Sequence, residues 1–420
     1  MSRGENDKIK EMKKIFLLLG YNTLVQIAGK VISTALSLVS IGFLTRYLGQ
    51  EGFGNYSLVF AYLSVFGIFS DLGLQLTMVR ELAQKKEGAI YGAFFWTKLF
   101  SVIVATLLSW LFLLVFPYSN FLKTAILITS FGFALGSLNN FGTVIFQANL
   151  RLDLVTLVDV ISRAVTVGFV IVFVSLGQGL YSILNTILIG NLAGSILTIF
   201  LLRKFIVFDF RLDLNLVKKI INQSLPVGLI SILALLYFRV DTLILSIFRG
   251  AKEVGIYSLA YKVLENILVL WGYYMASVYP LLSSLANQRK TVEIGRFWQK
   301  SLIVSIYFSI VIIVIGYILS PIVIQFLGGR EFGESIIALR ILLVSLPLFF
   351  IDNLFYHTFL ARKEIRGVIV GISSSLIFNL ILNLIFIPRF GYIAAAINTI
   401  ITEGYLLFCY FLIFQTVRRY

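Results

Sequence analysis

The chain has 420 residues, of which 59% are hydrophobic and only 13% are charged, and its mean hydropathy is +0.95. A soluble protein of this length carries roughly a quarter charged residues, so this composition predicts a protein that lies in lipid. The net charge of +15 does not indicate nucleic-acid binding, because the basic residues lie mostly in short loops between apolar segments. The single Cys409 and the single His357 exclude an intrachain disulfide and a metal site built from several histidines.

A helix that spans a bilayer needs about 20 mostly apolar residues, and about twelve segments meet this length. In chain order they are 20–45, 55–79, 90–116, 121–147, 154–176, 179–202, 223–248, 255–280, 299–321, 335–360, 366–387 and 391–416. The most polar internal stretch separates the sixth segment from the seventh. We therefore predict an all-α polytopic membrane protein with an N-terminal six-helix lobe at 1–202, a cytoplasmic linker at 203–222 and a C-terminal six-helix lobe at 223–420.

An internal repeat relates the two halves of the chain. Five residues recur 201 positions later, so that Gly49, Gly54, Tyr56, Ser57 and Leu58 match Gly250, Gly255, Tyr257, Ser258 and Leu259. A second echo pairs 146–148 with 359–361 and 185–187 with 398–400, 213 positions apart. A duplicated hydrophobic unit is typical of secondary transporters. Because six helices return the chain to its starting side, we expect two lobes related by a pseudo-twofold axis along the membrane normal, around a central cavity. The repeated glycines bracket helix starts and are expected to permit turns.

The loop charges predict the orientation of the chain in the membrane. Of the basic residues in the loops and at the ends of the predicted spans, 23 fall on the side of the N-terminus and six on the opposite side. The six are Arg46, Lys123, Arg249, Lys252, Arg330 and Arg389. Cytoplasmic loops of membrane proteins carry the excess of Lys and Arg, so we expect both termini in the cytoplasm.

Cations inside predicted spans are costly and usually face a protein interior or a wet cavity. Four of them are candidates for binding an anionic, diphosphate-bearing substrate: Lys30, Arg163, Arg239 and Lys262. Lys30 has no acidic residue within a helical turn, and Arg239 needs a partner from elsewhere. Arg163 can pair with Asp159 four residues earlier, and Lys262 with Glu265 three residues later, so a structural role stays open for both. Lys98 lies close enough to a helix end to extend toward the interface.

Four acidic residues are candidates for binding a coupling ion: Asp71, Asp241, Glu265 and Asp352. Asp71 and Asp352 have a structural alternative, which is capping or hydrogen bonding within the helix bundle. No cofactor is expected beyond a coupling proton or sodium ion.

Several motifs that would indicate an enzyme are absent from the sequence. It contains no Walker-type phosphate loop, no Gly-x-Ser-x-Gly elbow and no paired carboxylates in a long loop. We therefore expect a transporter and not an enzyme. A membrane-bound polysaccharide polymerase or ligase is disfavoured because the longest outer loop, 321–334, is too short. A non-transporting scaffold would leave the interior charges without a purpose.

Eight short segments carry a resemblance to a known family. They are RYLG at 46–49, GNYS at 54–57, DLGL at 71–74, VRELA at 79–83, RVDTLIL at 239–245, VGIYSLAY at 254–261, NLILN at 379–383 and IPRFG at 387–391. In their order and spacing the chain resembles the polysaccharide-exporter flippases of the multidrug/oligosaccharidyl-lipid/polysaccharide exporter superfamily. The resemblance spans nearly the whole chain.

This resemblance implies a fold like that of the multidrug and toxin extrusion transporters. It also implies alternating-access transfer of a polyprenyl-diphosphate-linked oligosaccharide from the cytoplasmic to the outer leaflet of the cell membrane. Basic residues line the central cavity in this family, and Lys30, Arg239 and Lys262 are the matching candidates. Twelve helices without further ones favour the O-antigen, capsule or exopolysaccharide branch, with membrane lipids and a polysaccharide polymerase or other assembly proteins as partners. The alternative is a gradient-driven small-molecule or drug exporter of the same fold.

Overall fold

The computed structural model describes residues 3–84, 88–205, 211–288 and 291–417. These residues form twelve α-helices and two short 3₁₀ turns, at Ile68–Ser70 and Arg330–Phe332, with no strand among them. The helices are α1 Arg3–Gly67, α2 Leu74–Gln84, α3 Gly88–Leu113, α4 Asn120–Ala148, α5 Leu152–Ser175, α6 Leu180–Leu202, α7 Leu214–Phe248, α8 Ala251–Asn287, α9 Thr291–Gly328, α10 Gly333–Leu343, α11 Leu346–Ala361 and α12 Ile365–Val417.

Nine helical stretches of the described ranges are long and apolar enough to cross a membrane, and the bent pair α10–α11 adds a tenth. The first and last stretches have 61 and 52 residues, far more than one crossing of about 30 Å requires. Each is interrupted at a glycine, Gly49 in α1 and Gly391 in α12, and therefore holds two of the predicted spans. The prediction of an all-α polytopic membrane protein is confirmed.

Two predicted spans are not straight helices. The span at 55–79 breaks after Ser70, where Leu72 and Gly73 both have positive φ angles (44° and 77°). The span at 335–360 bends by 46° between α10 and α11, where Pro347 occupies the first turn of α11. Proline lacks an amide hydrogen and disfavours helix in the residue before it, so it ends one helix and starts the next.

The repeat found in the sequence is also visible in the backbone. Gly49 (φ 64°, ψ −174°) and its equivalent Gly250 (φ 81°, ψ −179°) have nearly the same conformation. This region of φ/ψ space is accessible essentially to glycine alone. The two glycines therefore make equivalent turns between helices, as expected.

The chain divides into two compact units, each with its own core. Unit 1 comprises Met1–Phe43 and Phe66–Ser231, and unit 2 comprises Leu44–Val65 and Ile232–Tyr420. The core of unit 1 includes Phe94 and Phe146, and that of unit 2 is built around Phe355, Phe359 and Tyr410. Unit 2 thus takes in the second part of α1 as well as the C-terminal helices. The C-terminal part of α9 exposes large apolar side chains, with Ile318 and Phe326 exposed by 66% and 72%, as a lipid-facing helix does.

The expected division into lobes at 1–202 and 223–420 with a linker at 203–222 stays a prediction about the topology. Part of the linker, 206–210, lies outside the described residues. The same holds for six of the basic residues that predict the orientation: Lys85, Lys86, Arg289, Lys290, Arg418 and Arg419.

Candidate functional site: four polar clusters in the helices

A polar stripe joins α1 to α5 in unit 1. Ser33 Oγ donates to Asp159 Oδ2 at 2.7 Å, and Arg163 Nη1 donates to Ser37 Oγ at 2.8 Å. Arg163 Nη2 also meets Asp159 Oδ1 at 3.4 Å, so the predicted pairing along α5 is confirmed. The two helices pack closely at Gly29, where a Cβ atom would lie 3.3 Å from Thr156 Cβ.

Lys30 belongs to the same stripe. It precedes Ser33 by three residues and Ser37 by seven, which places the three on one face of α1. Its side chain is exposed, and it forms no ion pair within the described ranges of the chain. With Lys30 and Arg163 against Asp159, the stripe carries one positive charge in excess. Two of the four predicted substrate residues are thus brought onto one surface of unit 1.

A charged trio joins α7 to α8 in unit 2. Glu265 Oε1 accepts from Arg239 Nη2 at 3.0 Å, and Glu265 Oε2 accepts from Lys262 Nζ at 2.7 Å. The Lys262–Glu265 pair is the predicted one, and Glu265 is the partner from elsewhere that Arg239 requires. The trio also has one positive charge in excess. Its cations stay accessible to a ligand, because the side chains of Lys262 and Arg239 are 45% and 27% exposed.

Asp241 is buried at the centre of a hydrogen-bond network in unit 2. Its Oδ1 accepts from Asn383 Nδ2, while its Oδ2 accepts from the hydroxyls of Tyr257 at 3.1 Å and Thr399 at 3.3 Å. Asn398 donates to the side-chain oxygen of Asn383 at 2.9 Å. Both oxygens of Asp241 are therefore satisfied by neutral donors.

The segments that carry the family resemblance converge on this network. Asp241 lies in 239–245, Tyr257 in 254–261 and Asn383 in 379–383, while the repeated residues Asn398 and Thr399 complete the shell. The amide pair Asn379 and Asn383 was not selected as a candidate from the sequence. The sequence signal for this pair is two asparagines four residues apart within one apolar segment. In the structure both are buried and are linked by a hydrogen bond of 2.8 Å.

Two further acids are buried side by side in unit 2. The hydroxyl of Tyr237 donates to Glu403 Oε1 at 2.6 Å, and the carboxyl group of Asp352 lies beside that of Glu403. Neither oxygen of Asp352 accepts a hydrogen bond from the described residues. Within the helix bundle, Asp352 therefore meets a second acid and not the expected hydrogen-bond donor.

Lys98 is buried in unit 1, and the prediction that it extends toward a helix end is wrong. Its side chain is 1% exposed, and its ammonium group donates to the Ser70 carbonyl at 2.9 Å and to Asp71 Oδ1 at 3.2 Å. The cause is the break after Ser70, because a helix that ends leaves carbonyl groups without amide partners. Asp71, a candidate for ion coupling, is here the counter-charge of Lys98.

Comparison with known proteins decides the family. A sequence model described as "Polysaccharide biosynthesis protein" matches residues 19–286. The chain belongs to this family. A second model, MatE, matches residues 226–385 of the chain.

Individual relatives agree with the family assignment. The protein is 24% identical over 401 residues to the "Putative O-antigen transporter" of Shigella flexneri, covering 90% of this chain and 93% of that one. It is 25% identical over 205 residues to the capsular polysaccharide biosynthesis protein CapF of Staphylococcus aureus, covering 48% and 50%. Among solved structures, the lipid II flippase MurJ in an inward closed conformation matches with a TM-score of 0.78 at 18% identity, covering 94% and 87%.

Membership in this family and the O-antigen relative agree with the prediction of a transporter and not an enzyme. The structural match shows that the chain has the fold of the expected superfamily. The predicted roles of the four cations and four acids stay predictions.

Proposed function

We propose that this protein is a flippase for a polyprenyl-diphosphate-linked oligosaccharide. It would carry the repeat unit from the cytoplasmic to the outer leaflet of the cell membrane by alternating access, for assembly of O-antigen, capsule or exopolysaccharide. The names of its O-antigen and capsular relatives support the substrate class, and the MurJ-like fold supports lipid-linked transport. A polysaccharide polymerase and other assembly proteins are the proposed partners, and both termini are proposed to lie in the cytoplasm.

The observation that carries this proposal is the excess of cations in two polar clusters. The stripe of α1 and α5 and the trio of α7 and α8 each contain two cations and one acid. A diphosphate offers several acceptor oxygens and two or more negative charges. Arginine binds such a group through its planar fork and lysine as a mobile point charge. The sugars would cross in water while the polyprenyl tail stays in lipid.

A flipping assay in liposomes tests the proposal. We expect Lys30→Ala, Arg163→Ala and Arg239→Ala each to reduce the flipping rate about tenfold or more, since a hydrogen bond to a charged group contributes about 1.5–3 kcal/mol. Lys252→Ala is the matched control, because this exposed lysine lies 4.0 Å from Glu334 outside both clusters. Full activity of the Lys30→Ala and Arg239→Ala proteins would remove these residues from the mechanism.

A drug exporter of the same fold is the second candidate, and the MatE match to residues 226–385 favours it. Such a protein would use its acids, not its cations, to bind a cationic drug. The same liposomes loaded with a cationic dye distinguish the two functions. Export of the dye with no movement of the glycolipid would support the exporter and contradict the flippase.

A further inference from the structure

The least satisfied polar group described in unit 2 is the carboxyl of Asp352 on α11. It is 5% exposed, and Glu403 on α12 beside it is 1% exposed. The two carboxyl groups are close enough to interact with each other. A carboxylate has only acceptors, so no bond can form between two of them unless one carries a proton. Both oxygens of Asp352 are without any other donor in the described part of the chain.

Asp241, in the same unit, provides the contrast. Its two oxygens accept from Asn383, Tyr257 and Thr399, so its negative charge is stabilised by neutral donors. Among the residues that the structure describes, Glu403 has one such donor, Tyr237, and Asp352 has none. Unit 2 therefore contains a fully hydrogen-bonded buried carboxylate at one position and a pair of adjoining acids at another.

No compensating cation pairs with either acid in the part of the chain that the structure describes. The titratable groups that interact electrostatically with Asp352 or Glu403 include Tyr237 and Asp241 on α7, Tyr261 on α8, and Cys409 and Tyr410 on α12. Each of these is neutral or negative. Within the described ranges, no lysine, arginine or histidine forms an ion pair with either acid. Two adjacent carboxylates in a medium of low dielectric constant repel each other, and each also loses its hydration.

We infer that Asp352 and Glu403 hold one proton between them and that this shared proton is the ion exchanged with water during transport. The exchange of this proton during transport rests on the proposed function, whereas the shared proton itself does not. Proton uptake converts one carboxylate into a carboxylic acid whose O–H donates to the other carboxylate. Release returns the same proton to water and leaves two anions, and no other bond forms or breaks. Tyr237 holds Glu403 in place through its hydrogen bond and acts as a positioning residue.

Infrared difference spectroscopy of the full-length protein in detergent tests the shared proton directly. We expect the wild-type protein to show the carbonyl stretch of a protonated carboxylic acid, with a shift on deuterium exchange, and to lose it as the pH is raised. Glu403→Gln and Asp352→Asn should each change or remove this band. Glu265→Gln and Asp159→Asn are matched controls, whose acids already have cationic partners, and they should leave it unchanged.

Transport measured across an imposed pH gradient tests the coupling. We expect glycolipid flipping by the wild-type protein to respond to the gradient, and the response to be lost in Asp352→Asn. A wild-type spectrum without the band, or a band unchanged in both variants, overturns the shared proton. A normal band with gradient-independent flipping overturns the coupling. A normal band in a protein that moves no glycolipid overturns the proposed flippase function and leaves the proton site standing.

Discussion

Gly54 and Gly255, which occupy equivalent positions in the two copies of the repeat, pack directly against each other. A Cβ atom on Gly54 would lie 3.0 Å from the amide nitrogen of Gly255, and one on Gly255 would lie 3.1 Å from that of Gly54. The contact is therefore nearly symmetric, like the self-complementary interface of a twofold dimer. It lies within unit 2 and explains why residues 44–65 pack with helices that follow them by about 200 positions.

This close approach predicts that neither glycine tolerates a side chain. The added methyl group of Gly54→Ala would lie 2.6 Å from the carbonyl carbon of Ala251, which belongs to the backbone and cannot rotate away. We expect a loss of about 1–3 kcal/mol, measured as a lower Tm in detergent. Gly272→Ala is the control, since nothing lies within 4 Å of its added Cβ. Equal Tm values for Gly54→Ala and wild type would contradict the packing.

The pair formed by the buried Lys98 and the half-buried Asp71 predicts a non-additive effect on stability. Asp71→Asn leaves the ammonium group of Lys98 buried without its counter-charge, and breaking a buried pair by removing one partner costs about 3–5 kcal/mol. The double variant Asp71→Asn/Lys98→Met has neither charge, so we expect it to recover most of this loss. Thermal unfolding of the two single variants and the double variant measures the coupling.

An exposed pair serves as the control for this experiment. Lys252 and Glu334 are 4.0 Å apart and exposed by 62% and 49%, so Lys252→Met should change the free energy of unfolding by no more than about 0.5 kcal/mol. If the double variant Asp71→Asn/Lys98→Met is no more stable than Asp71→Asn, the charge of Lys98 does not contribute to the stability of this site.

Much of the fold can be predicted from the sequence because its signals are local. Apolar segments of sufficient length predict the helices, and residues three or four apart predict the pairs Asp159–Arg163 and Lys262–Glu265. The contacts that were missed join distant parts of the chain. Arg239 meets Glu265 on the next helix, and Asn383 meets Asp241 142 positions earlier.

Lys98 shows that a backbone feature can also limit prediction from the sequence. Its burial depends on the helix break after Ser70, which frees a carbonyl group in the membrane interior. The sequence around 68–73 is apolar apart from Ser70 and Asp71, and hydropathy does not distinguish a broken span from a continuous one. Arg340 was missed for a related reason. Its guanidinium lies 4.2 Å from the centre of the Tyr317 ring and donates to Ser320, a site formed only once α9 and α10 pack.

The negative charge of Glu265 is expected to weaken anion binding at the charged trio. Glu265→Gln removes the acid that Arg239 and Lys262 share, so the net charge of the trio rises from one positive to two. A unit charge about 4 Å away contributes about 1 kcal/mol in a water-like dielectric, which is about fivefold in affinity. We expect pyrophosphate to bind the variant about fivefold more tightly by calorimetry, with a gain that shrinks at high salt.

Glu334→Gln is the matched control for this measurement. It removes an equally charged residue whose lysine partner is exposed and lies outside the trio, and it should leave pyrophosphate binding unchanged. An affinity of Glu265→Gln equal to or below that of wild type would contradict anion binding by Arg239 and Lys262.

The predicted orientation can be measured with single cysteines. The natural Cys409 is half-buried in α12, where its sulfur accepts from the Ser374 hydroxyl at 3.7 Å, so Cys409→Ser should give a folded protein without cysteine. In that background Lys252→Cys should react with a membrane-impermeant maleimide on intact cells, because the excess of basic residues predicts an outer position for this loop. Lys218→Cys should react only after the membrane is permeabilised. Both lysines are exposed, so a difference in labelling reports the side of the membrane and not burial. The opposite pattern would place both termini outside and would reverse the direction proposed for transport.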